Sequence, residues 1–470
     1  MGTISSAFNI ISQALEADQG ALSIVANNVA NSNTTGYTRQ VPNWQENPPV
    51  VINGVSYGAG VTETGPTSVR DRVLEQRLAQ QQQLAAGSGA QLTALNTLQT
   101  IFTPNSGASG AGAGDIGSDL TSFFNSFASL EANPTDNALR QQVLSSAATL
   151  AGDVSNGAAS LSTQQSALDQ EAAGVTLQVN ALTQSIAQLN KQIQSLGSTG
   201  NPGALQDQRQ QDLSQLSQLI GINQVTTENN GLSITTASGQ LLVSEGTSVS
   251  LTNGTVGGVT HFFLGGTDVT SQLTSGGGQL GGYLTARDQN IPNAQAALDQ
   301  LAYNVSTAVN TQNNAGTDLA GDNGGAGNIF YQPSVAAGSA ATMAVLMTDP
   351  NHIAAAASGA GTGDNSNAVA LAGLANQAIV GGQTPTNFFA EFVTQLGSQV
   401  AEVQTENTAQ NASVTQLQNQ RDALSSVNLN DEAASMQQFE RSYQAASQVF
   451  NLLNTVLSSA LNLGVQTAVS

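Results

Sequence analysis

The chain of 470 residues has no cysteine, one tryptophan and two histidines, and these shortages exclude several kinds of site. Without cysteine there is no disulfide scaffold, thiolate metal site or cysteine nucleophile. The two histidines, His261 and His352, are far apart in the sequence. We therefore expect no polyhistidine metal site and no cofactor.

Charged residues are also scarce, at 9% of the chain against about 25% in an ordinary globular domain. Ten are basic and 31 acidic, which gives a formal net charge of −21. Such a chain repels nucleic acid and anionic membranes, because both are bound mainly through basic contacts to phosphate. No run approaches the roughly 20 apolar residues of a membrane-spanning helix. We expect neither a nucleic-acid partner nor a membrane span. Since the first basic residue is Arg39, we also expect no cleavable signal peptide.

Apolar residues near the N-terminus recur at alternating separations of four and three, which predicts one long helix with an apolar stripe. The stripe has one polar member, Asp18, which is either a solvated break or a polar contact that sets the packing register. The turn-forming residues 31–37 should end the helix, with Gly36 free to take a positive φ. The predicted seam consists of Ile4, Phe8, Ile11, Leu15, Asp18, Leu22, Val25 and Val29.

The C-terminus repeats this pattern after Asn428 or Asn430, either of which can cap a helix. Asp431 and Glu432 in its first turn suit the positive end of the helix dipole. Further apolar residues such as Val449 make the stripe wider than a two-helix contact needs. Two interpretations of the chain ends are open. They are the first and last helices of an ordinary bundle, or they pack on each other and on neighbouring copies of the chain, which is the interpretation we favour. The predicted C-terminal seam consists of Met436, Phe439, Tyr443, Ala446, Phe450, Leu453 and Leu457.

Between the ends, the sequence predicts long helices and one β-rich insert. Apolar spacing from Leu161 to Leu196 indicates a long coiled-coil-like helix despite Gly174. From Ile222 the pattern changes to short β-branched stretches separated by turn signals, which is typical of a small antiparallel β domain. We predict a mostly α, elongated multidomain fold with an inserted β-rich domain. Its parts are an assembly core of residues 1–65 and 427–470, a mainly helical middle domain of 66–221 and 286–426, and the β-rich insert of 222–285.

The residues that could carry catalysis are dispersed. His261 lies in a predicted strand, and His352 follows a helix-start signal. The sequence contains neither a Gly-x-Ser-x-Gly nucleophile elbow nor a P-loop. The carboxylates are mostly isolated on polar faces, without the apolar pocket that acid–base catalysis needs. An enzyme is therefore the least favoured class.

Two motifs at the chain ends resemble a known family. Residues 21–37, ALSIVANNVANSNTTGY, and the following TRQ are similar to the N-terminal motif of bacterial flagellar rod, hook and hook-associated proteins. Residues 427–434 and 439–446 are similar to the matching C-terminal motif. Internal segments such as 205–209 and 363–368 resemble the hook-associated members rather than rod or hook subunits. The motif residues are Asn28, Asn31, Asn33, Thr34, Gly36, Tyr37, Arg39 and Gln40.

This resemblance implies a structural subunit at the junction between hook and filament, exported through the flagellum's own type III apparatus. It implies as partners copies of the chain, the hook protein, a neighbouring hook-associated junction protein on the filament side and an export chaperone. Family members tend to order their terminal segments into concentric helical tubes only on assembly. The alternatives are a hook-like or flagellin-like subunit that polymerises without limit, and an extracellular adhesin whose β-rich insert binds a ligand.

Overall fold

The computed structural model describes residues 2–34, 36–52, 54–103, 116–196, 202–226, 231–322 and 327–466. The fold is mostly helical with a small β-rich part, as the sequence predicts. Within these residues, no helix is both long and apolar enough to cross a membrane. The helices are α1 (Gly2–Ala30), α2 (Arg72–Phe102), α3 (Ile116–Ala132), α4 (Asn137–Ser195), α5 (Gly203–Leu219), α6 (Thr270–Gly276), α7 (Gly278–Thr285), α8 (Ile291–Asn314), α9 (Ser339–Thr342), α10 (Ser366–Gly373), α11 (Pro385–Ser425) and α12 (Leu429–Gln466). The strands are β1 (Gln40–Val41), β2 (Trp44–Glu46), β3 (Val50–Ile52), β4 (Val55–Tyr57), β5 (Val61–Glu63), β6 (Thr67–Ser68), β7 (Ile222–Thr226), β8 (Leu232–Thr236), β9 (Leu241–Ser244), β10 (Thr247–Ser248), β11 (Leu251–Val256), β12 (Val259–Leu264), β13 (Thr267–Asp268), β14 (Gly316–Thr317) and β15 (Ala356–Ala357).

The longest helix, α4, contains 59 residues and connects two hydrophobic cores. It begins after Asp136, whose carboxylate accepts the N–H groups of Ala138 and Leu139. The repeat predicted to begin at Leu161 lies in its second half, and Gly174 does not interrupt the helix. The first half packs with α3 and α8, and the second half packs with α5 and the strands. A single helix therefore holds the helical part and the β-rich part together.

The first core is the aromatic one. Phe123 lies against Phe127 and Phe330, with ring centroids 5.3 and 5.4 Å apart. At the same core, Phe102 at the end of α2 makes an edge contact with Phe392 of α11, at 4.9 Å. These contacts pair α2 with α11, so the last internal helix returns along the first helix of the middle part.

Strands β7 to β13 form two small antiparallel sheets, one in the order β10-β9-β8-β7 and one in the order β11-β12-β13. Their buried residues, among them Ile234, Leu242 and Phe262, share the second core with α4 and α5. The last strand of these two sheets ends at Asp268, and residues 270–276 and 278–285 are helical, whereas the sequence pattern assigned them to the β-rich insert. Five glycines in this stretch lower its helix propensity, so the sequence pattern concealed α6 and α7.

Glycines in this stretch allow two backbones to approach closely. A Cβ on Gly282 would lie 2.1 Å from the carbonyl oxygen of Gly87 in α2 and 2.9 Å from the Cβ of Ala90. A Cβ on Gly278, which has a φ of +75°, would lie 2.5 Å from the Cα of Ile220. Only glycine fits such contacts. Tertiary packing thus overrides the poor helix propensity and places α7 directly on α2.

We expect Gly282→Ala to lower the free energy of unfolding by about 1–3 kcal/mol, because the added methyl group overpacks a contact between backbones. Urea unfolding followed by circular dichroism measures the change. Gly174→Ala on α4 is the matched control, since an added Cβ there meets nothing within 4 Å. That control should gain up to about 1 kcal/mol from helix propensity. A shift of the same sign and size in both variants would contradict the close approach of α7 and α2.

The chain ends meet beside this middle part. Residues 40–68 form short antiparallel ladders, β1 with β6, β2 with β5 and β3 with β4, and β5 lies on α1. The chain passes from α11 into α12 at residues 426–428. Asn428, and not Asn430, caps α12, because its Oδ1 accepts the N–H of Asn430 at 3.0 Å. The carbonyl of Asn428 also accepts the N–H of Glu432 at 3.0 Å.

Candidate assembly interface at the chain ends

The two terminal helices, α1 and α12, lie side by side in opposite directions. Near the start of α1, the ring of Phe8 lies 4.4 Å from that of Phe450, measured between centroids. Near its end, Nδ2 of Asn28 donates to Oε2 of Glu432 at 3.0 Å. In this register the beginning of α1 is level with Leu457, so the last turns of α12 extend beyond α1.

The predicted N-terminal seam is only partly covered. Asp18 and Val25 are buried, and Val29 is exposed. The half-buried seam members are Ile4, Phe8, Ile11, Leu15 and Leu22. The most deeply buried positions of α1 also include a neighbouring row with the same alternation of four and three, Ala17, Ala21, Ile24 and Asn28. This row lies beside the predicted seam, so the covered face of α1 is wider than the seam alone.

The predicted C-terminal seam is covered less than that of α1. Its half-buried members are Met436, Phe439, Ala446, Phe450 and Leu453, and its exposed members are Tyr443 and Leu457. A second apolar row, which we call the outer stripe, is exposed along the same helix and consists of Val449, Leu452 and Val456. Leu452 is 66% exposed. Among the described side chains of α12, only Glu432 is buried. A single chain therefore leaves much of the apolar surface of α12 in water.

Asp18 lies among the covered residues of α1, with 9% of its surface exposed. The solvated break that we considered does not describe this environment. Among the described residues, no group donates a hydrogen bond to its carboxylate. Its role in setting the packing register stays a prediction.

Asn28 is the centre of a buried polar cluster where α1, α12 and β1 meet. Its Nδ2 donates to the carbonyl of Gln40 at 2.8 Å as well as to Glu432. Its Oδ1 accepts the N–H of Gln40 at 3.0 Å and the hydroxyl of Tyr37 at 2.8 Å. All four hydrogen-bonding positions of the amide are thus used. We call Asn28, Tyr37, Arg39, Gln40 and Glu432 the polar node.

Arg39 completes the polar node by neutralising a buried charge. Its Nε lies 2.6 Å from Oε1 of Glu432, a residue that is 1% exposed. The backbone N–H of Arg39 donates to the carbonyl of Ser425 at 2.9 Å, at the end of α11. Arg39 therefore ties the segment between α1 and β1, which we call the N-terminal arm, both to α12 and to the middle part of the chain.

A second ion pair fixes this arm to α5. The N–H of Thr38 donates to Oδ2 of Asp207 at 3.2 Å, and Arg70 pairs with the other oxygen of that carboxylate. Arg70 also donates to the hydroxyl of Thr38 at 3.0 Å. Burial raises the pKa of Asp207, and these partners oppose that effect. The terminal part is thereby joined to the middle part by the hydrogen bonds of Thr38 with Asp207 and Arg70 and by that of Arg39 with Ser425.

The rest of the predicted motif builds the turn between α1 and β1. Asn31 donates to Oδ1 of Asn27 at 2.7 Å and accepts the hydroxyl of Thr34 at 3.2 Å. Gly36 has a φ of +80°, as its place in the turn requires. Asn33 is exposed. These residues close the turn and direct Tyr37 towards Asn28.

The sequence named most of the node but not its acidic member. We expected Glu432 to act only on the helix dipole, whereas it is the buried partner of Arg39 and Asn28. Asp207 and Arg70 were likewise not predicted as site residues. The available signal was that both acidic residues lie inside segments that carry the family resemblance. Spacing within one helix cannot show that residues 28 and 432 meet.

Burial, together with the nearby carboxylates of Asp207 and Glu432, raises the pKa of Tyr37 to about 12. This is above the usual value of about 10, so the stability that the phenol contributes is complete below pH 10 and falls as the pH rises towards 12. The absorbance of ionised tyrosine is titrated at alkaline pH in the wild type and in Tyr37→Phe, and the difference between the two curves reports Tyr37. We expect this difference curve to have its midpoint near pH 12 in the folded protein and near pH 10 in guanidinium chloride, where the protein is unfolded. Equal midpoints would contradict the described environment.

Two models of known protein families match parts of this chain. The model of the helical domain of flagellar hook-associated protein FlgK matches residues 95–330, and that of the flagella basal body rod protein matches residues 8–38. The second match contains most of α1 and the turn up to Thr38.

Several relatives match nearly the whole chain. Flagellar hook-associated protein 1 of Escherichia coli (strain K12) is 26% identical, over 98% of this chain and 100% of that protein. The protein of the same name from Bacillus subtilis (strain 168) is 28% identical, over 96% of each. The solved structure of the flagellar hook junction protein FlgK from Burkholderia pseudomallei has a similar fold, with a TM-score of 0.65 at 18% identity, over 75% of this chain and 100% of that one. Because the helical-domain model spans half of its residues, the chain belongs to the family of flagellar hook-associated protein FlgK.

Proposed function

We propose that the chain is a structural subunit of the bacterial flagellum that forms the junction layer between hook and filament. The observation that carries this proposal is the outer stripe, an apolar row on α12 that α1 does not cover. The relatives that match nearly the whole chain are hook-associated proteins, which supports the same role.

Copies of the chain cover the outer stripe in this proposal. Burying one leucine or valine side chain gives about 1.5–3 kcal/mol, so a repeated row supplies a large association energy. A head-to-tail contact between identical chains generates a ring or a short helical layer. The assembly core is formed by residues 1–65 and 427–470, the middle domain by 66–221 and 286–426, and the β-rich insert by 222–285.

The partners on either side are different proteins. The hook protein contacts one face of the layer, and a neighbouring hook-associated junction protein contacts the filament side. The chain reaches this position outside the cell through the flagellum's own export apparatus, with the help of an export chaperone. In this proposal the chain has a structural role and is not an enzyme; among the described residues, His261 pairs with Asp268 and His352 with Asp318.

Addition of the purified chain to isolated hooks tests this function. We expect the chain to bind at the distal hook end and to stop after a layer of fixed length, which electron microscopy of the hook ends measures. Purified chain alone should form no long polymers. Growth that continues with the amount of protein added would instead indicate a hook-like or flagellin-like subunit, and absence of binding to hook ends would contradict the proposal.

A further inference from the structure

A group of potential metal ligands lies in the middle part, away from the terminal helices. Asp318 and Asp322 lie in the turn after β14, and His352 ends the short 3-10 turn Pro350–His352. One ligand atom from each of the three residues lies within 4.8 Å of the others. The proposed assembly does not use any of them.

Contacts outside this group hold both segments in place. The N–H of Leu319 donates to the carbonyl of Asn351 at 3.0 Å, which joins the two turns. Beneath them, the guanidinium of Arg140 is 1% exposed and donates to the carbonyl of Ile353 at 2.6 Å and to that of Pro134 at 2.8 Å. The backbone next to Asp318 and next to His352 is therefore held by hydrogen bonds from outside the group.

The three side chains differ in burial in a way that suits a surface ion site. The carboxylate of Asp318 is fully buried and is oriented by the N–H of Asp322, which donates to its Oδ1 at 2.9 Å. The ring of His352 is 43% exposed, and Asp322 is exposed. One ligand is thus fixed while two remain open to solvent and can adjust.

The other histidine shows what a simple ion pair looks like in this chain. Nδ1 of His261 lies 2.6 Å from Oδ2 of Asp268, and Thr270 occupies the second oxygen of that carboxylate. At the first site, Nδ1 of His352 lies 2.8 Å from Oδ2 of Asp318, and a ligand atom of a second carboxylate, that of Asp322, also lies within 4.8 Å of both. Within the part of the chain that the structure describes, it is the site at His352 that combines an imidazole with two carboxylates.

We propose that Asp318, Asp322 and His352 bind a divalent metal ion of the zinc type, with solvent in the remaining position. Imidazole nitrogen and carboxylate oxygen are both ligands of Zn²⁺ at about 2.0–2.2 Å, which separates ligand atoms by roughly 3.3 Å in a tetrahedral site. The observed separation of 2.8 Å between Asp318 and His352 needs only a small rotation of the exposed ring to reach this value. The ion would link the turn after β14 to the turn before β15.

Metal titration of the untagged, chelator-treated chain tests the site, with Co²⁺ as the optical probe and Zn²⁺ as its competitor. We expect one equivalent of Co²⁺ with visible absorption, displaced by Zn²⁺. His352→Gln and Asp322→Asn should each weaken binding at least tenfold. Both side chains are partly or fully exposed, so the variants should keep the wild-type circular dichroism spectrum.

His261→Gln and Asp268→Asn are the matched controls, because they remove the same residue types from a pair with one carboxylate. Both should bind Co²⁺ as the wild type does. Absence of saturable binding by the wild type, or equal loss in the control variants, would overturn the metal site. These measurements need no hook or filament, so their outcome is independent of the proposed assembly function.

Discussion

Asn28→Ala should release α12 from α1 while the middle part stays folded. The amide is fully buried and makes four hydrogen bonds, so its loss leaves the backbone of Gln40 and the carboxylate of Glu432 short of partners. Each buried polar group without a partner costs about 1–3 kcal/mol, and the sum reaches about 3 kcal/mol or more. Hydrogen exchange of the backbone amides near Ile24 should therefore accelerate at least about a hundredfold.

Asn27→Ala is the matched control, because Asn27 is the neighbouring asparagine of the same helix and is exposed. Its Oδ1 accepts Nδ2 of Asn31 at 2.7 Å and, at a long 3.5 Å, the hydroxyl of Tyr37, so its loss should change exchange near Ile24 by less than about threefold. In the wild type we also expect protection to decrease from the polar node towards Phe8 and Phe450, where both helices are only half covered. Equal exchange rates in the two variants would show that the node does not hold the helices together.

This expected gradient refines what the family resemblance implied about the chain ends. We expect the distal parts of α1 and α12, where apolar side chains are exposed, to become ordered only on assembly. This expectation does not apply to the node, where Arg39 neutralises Glu432 within one chain. The node thus fixes where the two helices meet, and the uncovered outer stripe remains available for neighbouring copies.

The sequence predicted the terminal helices well because their signals are local. Alternating apolar positions and a turn cluster around Gly36 placed the end of α1, and Asn428 with Glu432 placed the start of α12. The node could not be predicted in the same way, since it joins residues about 400 positions apart through hydrogen bonds. A buried amide such as Asn28 looks, in the sequence, like any other polar residue at the end of a helix.

The middle part shows the opposite limit, in which tertiary packing decides the secondary structure. Residues 270–285 have the composition of a turn-rich strand region, yet Gly282 is helical because its missing side chain lets α7 lie against Gly87. The second half of α4, by contrast, was predicted from its apolar repeat, and a single glycine at position 174 does not interrupt the helix. Local pattern is reliable where packing and propensity agree, and fails where the packing requires an unfavourable residue.

Leu452→Glu should abolish addition to hook ends without changing the fold of the isolated chain. Leu452 is 66% exposed and belongs to the outer stripe, so within one chain the new carboxylate stays in water. In the assembly it would replace about 1.5–3 kcal/mol of apolar burial and add the cost of a buried, unpaired charge at every contact between subunits. We expect the melting temperature of the monomer to change by less than about 2 °C, and hook-end binding and motility to fall at least about a hundredfold.

The choice of position decides what this experiment can show. Leu177→Glu is the matched control, since Leu177 is 73% exposed on α4 and lies outside the terminal helices. It should leave both the monomer and motility unchanged. Leu457→Glu should resemble Leu452→Glu, whereas Phe450→Asp should also loosen the helix pair, because the ring of Phe450 contacts Phe8.

If Leu452→Glu restored wild-type motility in a strain lacking the chain, the outer stripe could not be the contact between copies. Loss of motility in the Leu177→Glu variant as well would mean that any added surface charge blocks assembly, and the stripe would lose its special role.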